Sequence, residues 1–295
     1  IILLMYILIN IIVFILVLFI YLHIYSNIKT SNYLEIYEID NVSKEKFEEL
    51  CNIKQPILFN QIQLEDNLLE KLKLENINSL YGNFDINLIN KNEPNLNVPI
   101  NINKCIELFN NDASNSYISE NNSDFLEETT LNKIYDNLDI FLRPSGTCKI
   151  IYDIILGSKN TYSILKSSFY CRNFFLVNEG SVEVTLCTPN NYKYLHVNFD
   201  NENFENISKI DIYDVDDIYK KDFSKVKLLR VILNKNQLLQ IPPYWFYSIK
   251  FTEEKTELLS FKYSTFMNML SNLPKICLKF LQDKNIKKVL TKTIN

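Results

Sequence analysis

The sequence predicts a mainly β body with flanking helices, preceded by a transmembrane helix and followed by a C-terminal helical pair. Three observations carry that expectation. The stretch Ile1–Ile24 is almost wholly apolar and holds no Asp, Glu, Lys or Arg. From Phe141 to Lys262, short runs of β-branched and aromatic residues recur, separated by turns bearing Gly, Pro or Asn. From Thr265 to Leu281 the apolar residues change to helical spacing.

The 295 residues leave room for one domain of ordinary to large size plus appendages, and 47% hydrophobic residues permit a sizeable core. The formal net charge is −4, from 31 basic and 35 acidic side chains, and no basic stripe stands out. Nucleic-acid binding therefore has no electrostatic footing. Only four glycines occur, whereas Asn, Ile, Lys and Tyr are heavily used, as in an AT-rich genome. Asn tolerates positive φ and can replace Gly in turns. The six cysteines form no C-x-x-C pair. A structural zinc site is thus not expected, and free buried thiols are, with a disulfide as the alternative.

At the N-terminus, Ile1–Ile24 is long enough to cross a bilayer core of about 30 Å. It exceeds the apolar core of a signal peptide, and no small-x-small site follows, which favours an uncleaved anchor (residues 1–25) over a cleaved signal. Lys29 alone does not set the orientation. Sequons at Asn41, Asn121 and Asn206 matter only if the body is lumenal.

Residues 26–51 are expected to form a stalk and a short helix, capped by Ser43 and presenting Phe47, Leu50 and Cys51. Lys54-Gln-Pro-Ile-Leu-Phe59 reads as a buried strand. Residues 83–122 read as loops with short strands such as Asn97-Val-Pro-Ile100, and Ser123–Leu138 as one amphipathic helix. Strands follow at Lys149–Leu156, Thr161–Leu165, Asn173–Val177 and Ser181–Leu186, the last two joined by a tight turn at Asn178-Glu-Gly180. Residues 198–226 look acidic and irregular. Val231–Leu239 gives two strands around a polar turn, and Gln240-Ile-Pro-Pro-Tyr-Trp-Phe-Tyr247 a Pro-Pro-aromatic corner. Leu258–Lys262 is a return strand. Residues 264–295 hold two helices, the second starting near Pro274, and a Lys-rich tail over 284–292.

The order of these elements resembles the JmjC-like cupins, which are iron(II)- and 2-oxoglutarate-dependent oxygenases, notably the branch of the asparaginyl hydroxylase that inhibits hypoxia-inducible factor. The likeness runs over about residues 52–285. It rests on Lys54–Phe59, Leu142-Arg-Pro144, Gly157 with Thr161, Asn173-Phe-Phe175, Glu179-Gly180, Pro189, Asp214–Asp217 and Ile241–Trp245 in that order. It implies a double-stranded β-helix, the cupin or jelly-roll fold, as the body over 52–263. It also implies dimer contacts through the C-terminal helices.

That family holds iron with two His and one carboxylate. In this chain the corresponding positions are Lys166, Ser168 and Tyr247. The family's 2-oxoglutarate lysine falls at Val182, while its pocket Asn is kept as Asn173. Independently of alignment, the body contains one histidine, His196, so a two-His site is not available. His196 beside Cys187, Asp200 and Glu202 is more readily a surface histidine than a metal ligand. No P-loop or G-x-G-x-x-G is present.

The expectation is a membrane-anchored cupin without catalytic residues, metal, iron(II) or 2-oxoglutarate, working through protein partners or as a homodimer. Its former pocket would be lined by Lys166, Ser168, Asn173, Val182 and Tyr247. The alternative is a residual small-molecule binder or a hydroxylase with a non-standard site. The composition and the anchor suit a large DNA virus with an internal membrane, or a host endomembrane; many protists share the bias.

Overall fold

A computed structural model describes residues 2–40, 42–61, 70–91 and 97–285. Helix α1 (Ile2–Ile28) has no charged residue and is exposed along most of its length. Among the described residues it is the one helix long and apolar enough to cross a membrane, and a signal sequence meets the same description. The Lys54 ammonium donates to the Ser26 carbonyl and, at 3.1 Å, to the Lys29 carbonyl, so it caps the open carbonyl end of α1.

The stretch after α1, expected to be a stalk, is laid against the body. Ser31 N–H donates to the Lys54 carbonyl at 3.2 Å, and the Trp245 indole N–H donates to the Ser31 carbonyl at 3.0 Å. Strand β1 (Tyr37–Ile39) then pairs in parallel with β2 (Ile57–Phe59). Between them lies α2 (Lys44–Asn52), capped by Ser43 and burying Phe47 and Cys51 as its spacing predicts.

Residues 83–122 are more regular than expected. Helix α3 (Leu74–Tyr81) leads into β3 (Asp85–Asn90), β4 (Asn97–Asn101), α4 (Ile102–Asn111) and β5 (Tyr117–Ser119). The α4 N-cap is Asn101, whose side chain accepts from Lys104 N–H at 3.1 Å. In so Asn-rich a stretch, caps and turn residues look alike. The single helix expected over Ser123–Leu138 is broken into α5 (Ser123–Glu128), a 3₁₀ turn (Leu131–Tyr135) and α6 (Asp136–Leu142). Thr129 Oγ1 bonds back to the Phe125 carbonyl at 2.7 Å, and Thr130 turns left-handed at φ 56°, which ends the first piece.

The body follows as β6 (Thr147–Gly157), β7 (Lys166–Ser168), β8 (Arg172–Glu179), β9 (Ser181–Cys187), β10 (Val197–Asp200), β11 (Glu205–Ser208), α7 (Lys220–Phe223), β12 (Leu228–Asn234), β13 (Leu238–Ile241), β14 (Phe246–Phe251) and β15 (Glu257–Thr265). The strand expected at Thr161–Leu165 starts later, at Lys166; within the earlier stretch only Tyr162 forms a bridge, to Lys250. Helices α8 (Phe266–Ser271) and α9 (Leu273–Asn285) close the described chain. The basic tail beyond residue 285, and the sequon at Asn41, lie outside the described residues. Asn206 is buried and donates to Ser167 Oγ, which leaves its side chain no access for a glycan.

Two sheets form a jelly roll. One runs β1-β2-β13-β8-β15-β6-β5-β3-β4, the other β10-β11-β7-β14-β9-β12. Alternation sorts each strand between two cores. In β8, Phe174 and Leu176 face the helices with Phe47, Leu126 and Leu138, whereas Phe175 and Val177 face the interior of the roll. There they meet Val182, Val184, Ile249 and Phe251.

Candidate functional site

The roll is apolar at one end and charged at the other. The charge arises where inward positions of five elements converge. Lys166 is buried on β7, opposite Tyr247 of β14 and Ile207 of β11. Glu205 enters from β11, Lys262 from β15, Asp153 from β6, and Glu120 from the turn after β5. Lys166 Nζ stands 2.7 Å from Glu120 Oε2 and 3.2 Å from Glu205 Oε2. Lys262 Nζ stands 2.9 Å from the other Glu205 oxygen. The result is a chain of alternating charges, Glu120–Lys166–Glu205–Lys262, with every side chain in it at most 9% exposed.

Isolated, each of these charges would be expensive to bury; in alternation each satisfies its neighbours. Burial pushes the Glu205 carboxyl up, but Lys166 and Lys262 outweigh it and hold that group at about 2. Burial likewise works against the charged form of Lys166, and the two glutamates overcome it, so its ammonium persists well above the ordinary lysine range. Tyr247 is pushed up to about 12, by burial first and by Glu205 second, and stays a neutral phenol. Asp153 is raised to about 6 by burial. Its two oxygens accept the backbone N–H groups of Asn121 and Asn122 at 2.9 and 2.7 Å. That clamp fixes the turn whose preceding residue is Glu120.

Of the five residues expected at the pocket, the structure brings Lys166 and Tyr247 together as direct cross-strand neighbours. Ser168 follows on the same face of β7, two residues along. Asn173 lies across from Lys262, and both polar atoms of its side chain are buried without a hydrogen-bond partner among the described residues. Val182 is elsewhere, in the apolar end against Leu233 and Phe251. Sequence reasoning missed Glu120, Glu205 and Lys262. Lys262 had a signal: it is the one charged residue inside the buried run of β15 after Glu257. Glu120 and Glu205 sit in polar surroundings and had none. His196 pairs with Asp222 at 3.0 Å instead of with Cys187, Asp200 or Glu202.

A cavity of about 720 Å³ opens over the cluster. Its floor is Glu120, Lys166 and Glu205, and its walls include Lys91, Tyr162 and Asp200. The donor set does not fit an iron(II) ion of the two-His, one-carboxylate kind. Lys166 is a protonated donor with no lone pair to offer, and Tyr247 and Ser168 are neutral hydroxyls. An ammonium at the position of a metal ligand also repels a cation. The two interior lysines, Lys166 and Lys262, are each paired with a carboxylate, and Val182 carries no charge. That leaves Lys91 in the wall as the cation nearest to an anion entering the cavity without a carboxylate pair among the described residues.

No curated protein matches the chain significantly. The sequence profile of a known family, described as a cupin-like domain, matches residues 43–269. That span begins at the cap of α2 and ends within α8, and it encloses every strand of the two sheets except β1. With the two-sheet jelly roll and more than half the chain covered by the profile, this protein belongs to the family of cupin-like domains.

Proposed function

We propose that the chain is a membrane-anchored cupin-like protein of the asparaginyl-hydroxylase branch that carries out no iron chemistry and serves a structural or protein-interaction role. The observation that carries this reading is the clamping of Lys166 between Glu120 and Glu205. A protonated lysine occupies the place of the family's first histidine, and two carboxylates hold it there. The anchor is Ile1–Ile24, read as a single span because of its length and lack of charge. The composition and the anchor together fit a component of a virus particle with an internal membrane, or of a host endomembrane. The domain division expected from the sequence is part of this proposal: an anchor over 1–25, a connecting stretch and short helix over 26–51, the roll over 52–263, and helices with a basic tail over 264–295.

The test is direct. Purified protein is incubated without oxygen with ferrous iron and dialysed, then supplied with oxygen and 2-oxoglutarate. The expected result is no retained iron and no succinate. Stoichiometric iron, or steady succinate formation, overturns the proposal.

The open cavity favours a second reading, in which the roll binds a small polar molecule without transforming it. Calorimetric titration with 2-oxoglutarate separates the two: binding without turnover supports the second reading, and no heat supports the first.

A further inference from the structure

The last two helices present an apolar face to solvent. On α9, Leu273, Leu278 and Leu281 are each about half exposed, with Cys277 exposed among them. On α8, Phe266 is 68% exposed. The α9 positions recur at helical spacing and form one face of that helix, while Lys275 and Ile276 turn toward the body. This face is not remote from the anchor. Helix α8 packs on α1, and the partly covered residues near the end of α1 are Ile20, His23, Ile24 and Asn27. Whatever holds α1 therefore reaches α8.

Charge points to the same occupant. Lys149, Lys275 and Lys279 surround the two helices, and none pairs with a carboxylate among the described residues. Lys275 lies 3.6 Å over the Phe169 ring, and Lys279 donates to the Glu202 carbonyl at 2.5 Å. A groove of about 240 Å³ runs between Lys149 and Lys279 over Tyr170, Phe204, Met269 and Ile276. The sequence then continues with Lys284, Lys287, Lys288 and Lys292. Basic groups beside an apolar helix face, next to a membrane span, are what an anionic lipid surface attracts.

We propose that α8 and α9 form a second membrane contact. Their exposed apolar face lies on the bilayer beside α1, and the groove between Lys149 and Lys279 takes the anionic headgroup of a phospholipid. This rests on the reading of α1 as a span. The roll is thereby held close to the bilayer at two points instead of swinging on one.

The experiment uses the full chain in nanodiscs of phosphatidylcholine, with or without phosphatidylserine. A nitroxide is attached at Cys277 in a Cys148→Ser background, and in a separate variant at Leu16→Cys with both exposed cysteines replaced by serine. Relative exposure to oxygen and to a water-soluble nickel complex reports depth. The expected result is a Cys277 label that moves to interfacial depth when phosphatidylserine is present. Lys149→Glu with Lys279→Glu should return it to water, the docked population falling roughly fivefold or more per lysine. A Cys277 label that stays in water while the Leu16→Cys label is lipid-buried overturns the second contact alone. A Cys277 label shielded already in detergent, with dipolar broadening between copies, overturns it in favour of a second copy on this face. A Leu16→Cys label in water overturns the span and the contact with it.

Discussion

The Lys166 ammonium and the Glu205 carboxylate stand 3.2 Å apart inside the roll, one from β7 and one from β11. Neither strand could carry its charge alone. Removing one partner of a buried pair leaves the other uncompensated, which costs about 3–5 kcal/mol. Lys166→Met should therefore destabilise the protein by about that amount in denaturant titrations in detergent, because Glu120 loses its partner while Glu205 keeps Lys262. Adding Glu120→Gln should recover most of the loss. A Lys166→Met variant within about 1 kcal/mol of the parent would show that the charge chain contributes little.

How much of this was legible in the sequence depends on what kind of signal each part leaves. The roll was legible because its strands carry runs such as Asn173–Val177 and because only a few residue types make a turn like Asn178-Glu-Gly180. The site was legible as far as the resemblance singled out Lys166, Ser168 and Tyr247. Its balance was not. Glu120 and Glu205 reach Lys166 from separations of 46 and 39 residues, and pairing at that range is set by sheet register, not by local pattern. The regular elements within 83–122 were hidden for a different reason: Asn serves there as cap, turn and strand residue alike.

Glu257 gives a pH prediction. Its carboxylate is buried where it accepts Leu74 N–H at the start of α3 and the Asn178 amide at 2.6 Å, and burial raises it to about 7. A carboxyl raised in the folded state binds its proton more tightly there than in the unfolded chain. Stability from this group is therefore full below the unfolded value and declines as pH rises from about 4.5 to 7, by at most ~3 kcal/mol. Glu205, held at about 2, acts with the opposite sign: its contribution is present above about 4.5 and is lost as pH falls toward 2. Glu257→Gln should flatten the decline between pH 5 and 7. The new amide can donate to Asn178 Oδ1, which has no partner among the described residues of the parent, once the Asn178 side chain turns over. An unchanged slope in thermal unfolding across that range would assign the decline to another group.

Gly180 joins β8 to β9 at φ +75°. A Cβ there would stand 2.4 Å from Thr256 Oγ1 and 3.0 Å from the Thr256 Cα. Gly180→Ala should cost about 2–3 kcal/mol, the sum of a left-handed backbone and a displaced neighbour, read as a lowered unfolding midpoint.

The cysteines divide by exposure, not uniformly into the core as composition predicts. Cys148 and Cys277 are exposed, whereas Cys51, Cys105 and Cys187 are buried and their thiols are pushed up to about 12 by burial. A thiol reagent at neutral pH should modify Cys148 and Cys277 at once and the three buried thiols only on unfolding, as peptide mass mapping would show. Rapid modification of Cys105 in the folded protein would place a local opening at α4.

The proposal that iron chemistry is absent because of ligand identity, and not because of a collapsed frame, can be tested by restoring the ligands. Lys166 and Tyr247 are cross-strand neighbours, and Ser168 shares the inward face of β7 with Lys166. Side chains in that relation have Cβ atoms close enough to converge on one ion. The substitutions Lys166→His, Ser168→Asp and Tyr247→His put two imidazoles and a carboxylate on those positions. They also remove the ammonium that Glu120 neutralises, so the site gains negative charge and attracts a cation. The triple variant should bind cobalt(II), with a visible d–d spectrum that the parent lacks, while the parent with Tyr247→His alone should not. If the triple variant folds, judged by an unchanged near-UV circular dichroism spectrum, yet stays colourless with cobalt, then ligand identity is not what keeps the parent from binding a metal, and the backbone of β7 and β14 does not present a metal site.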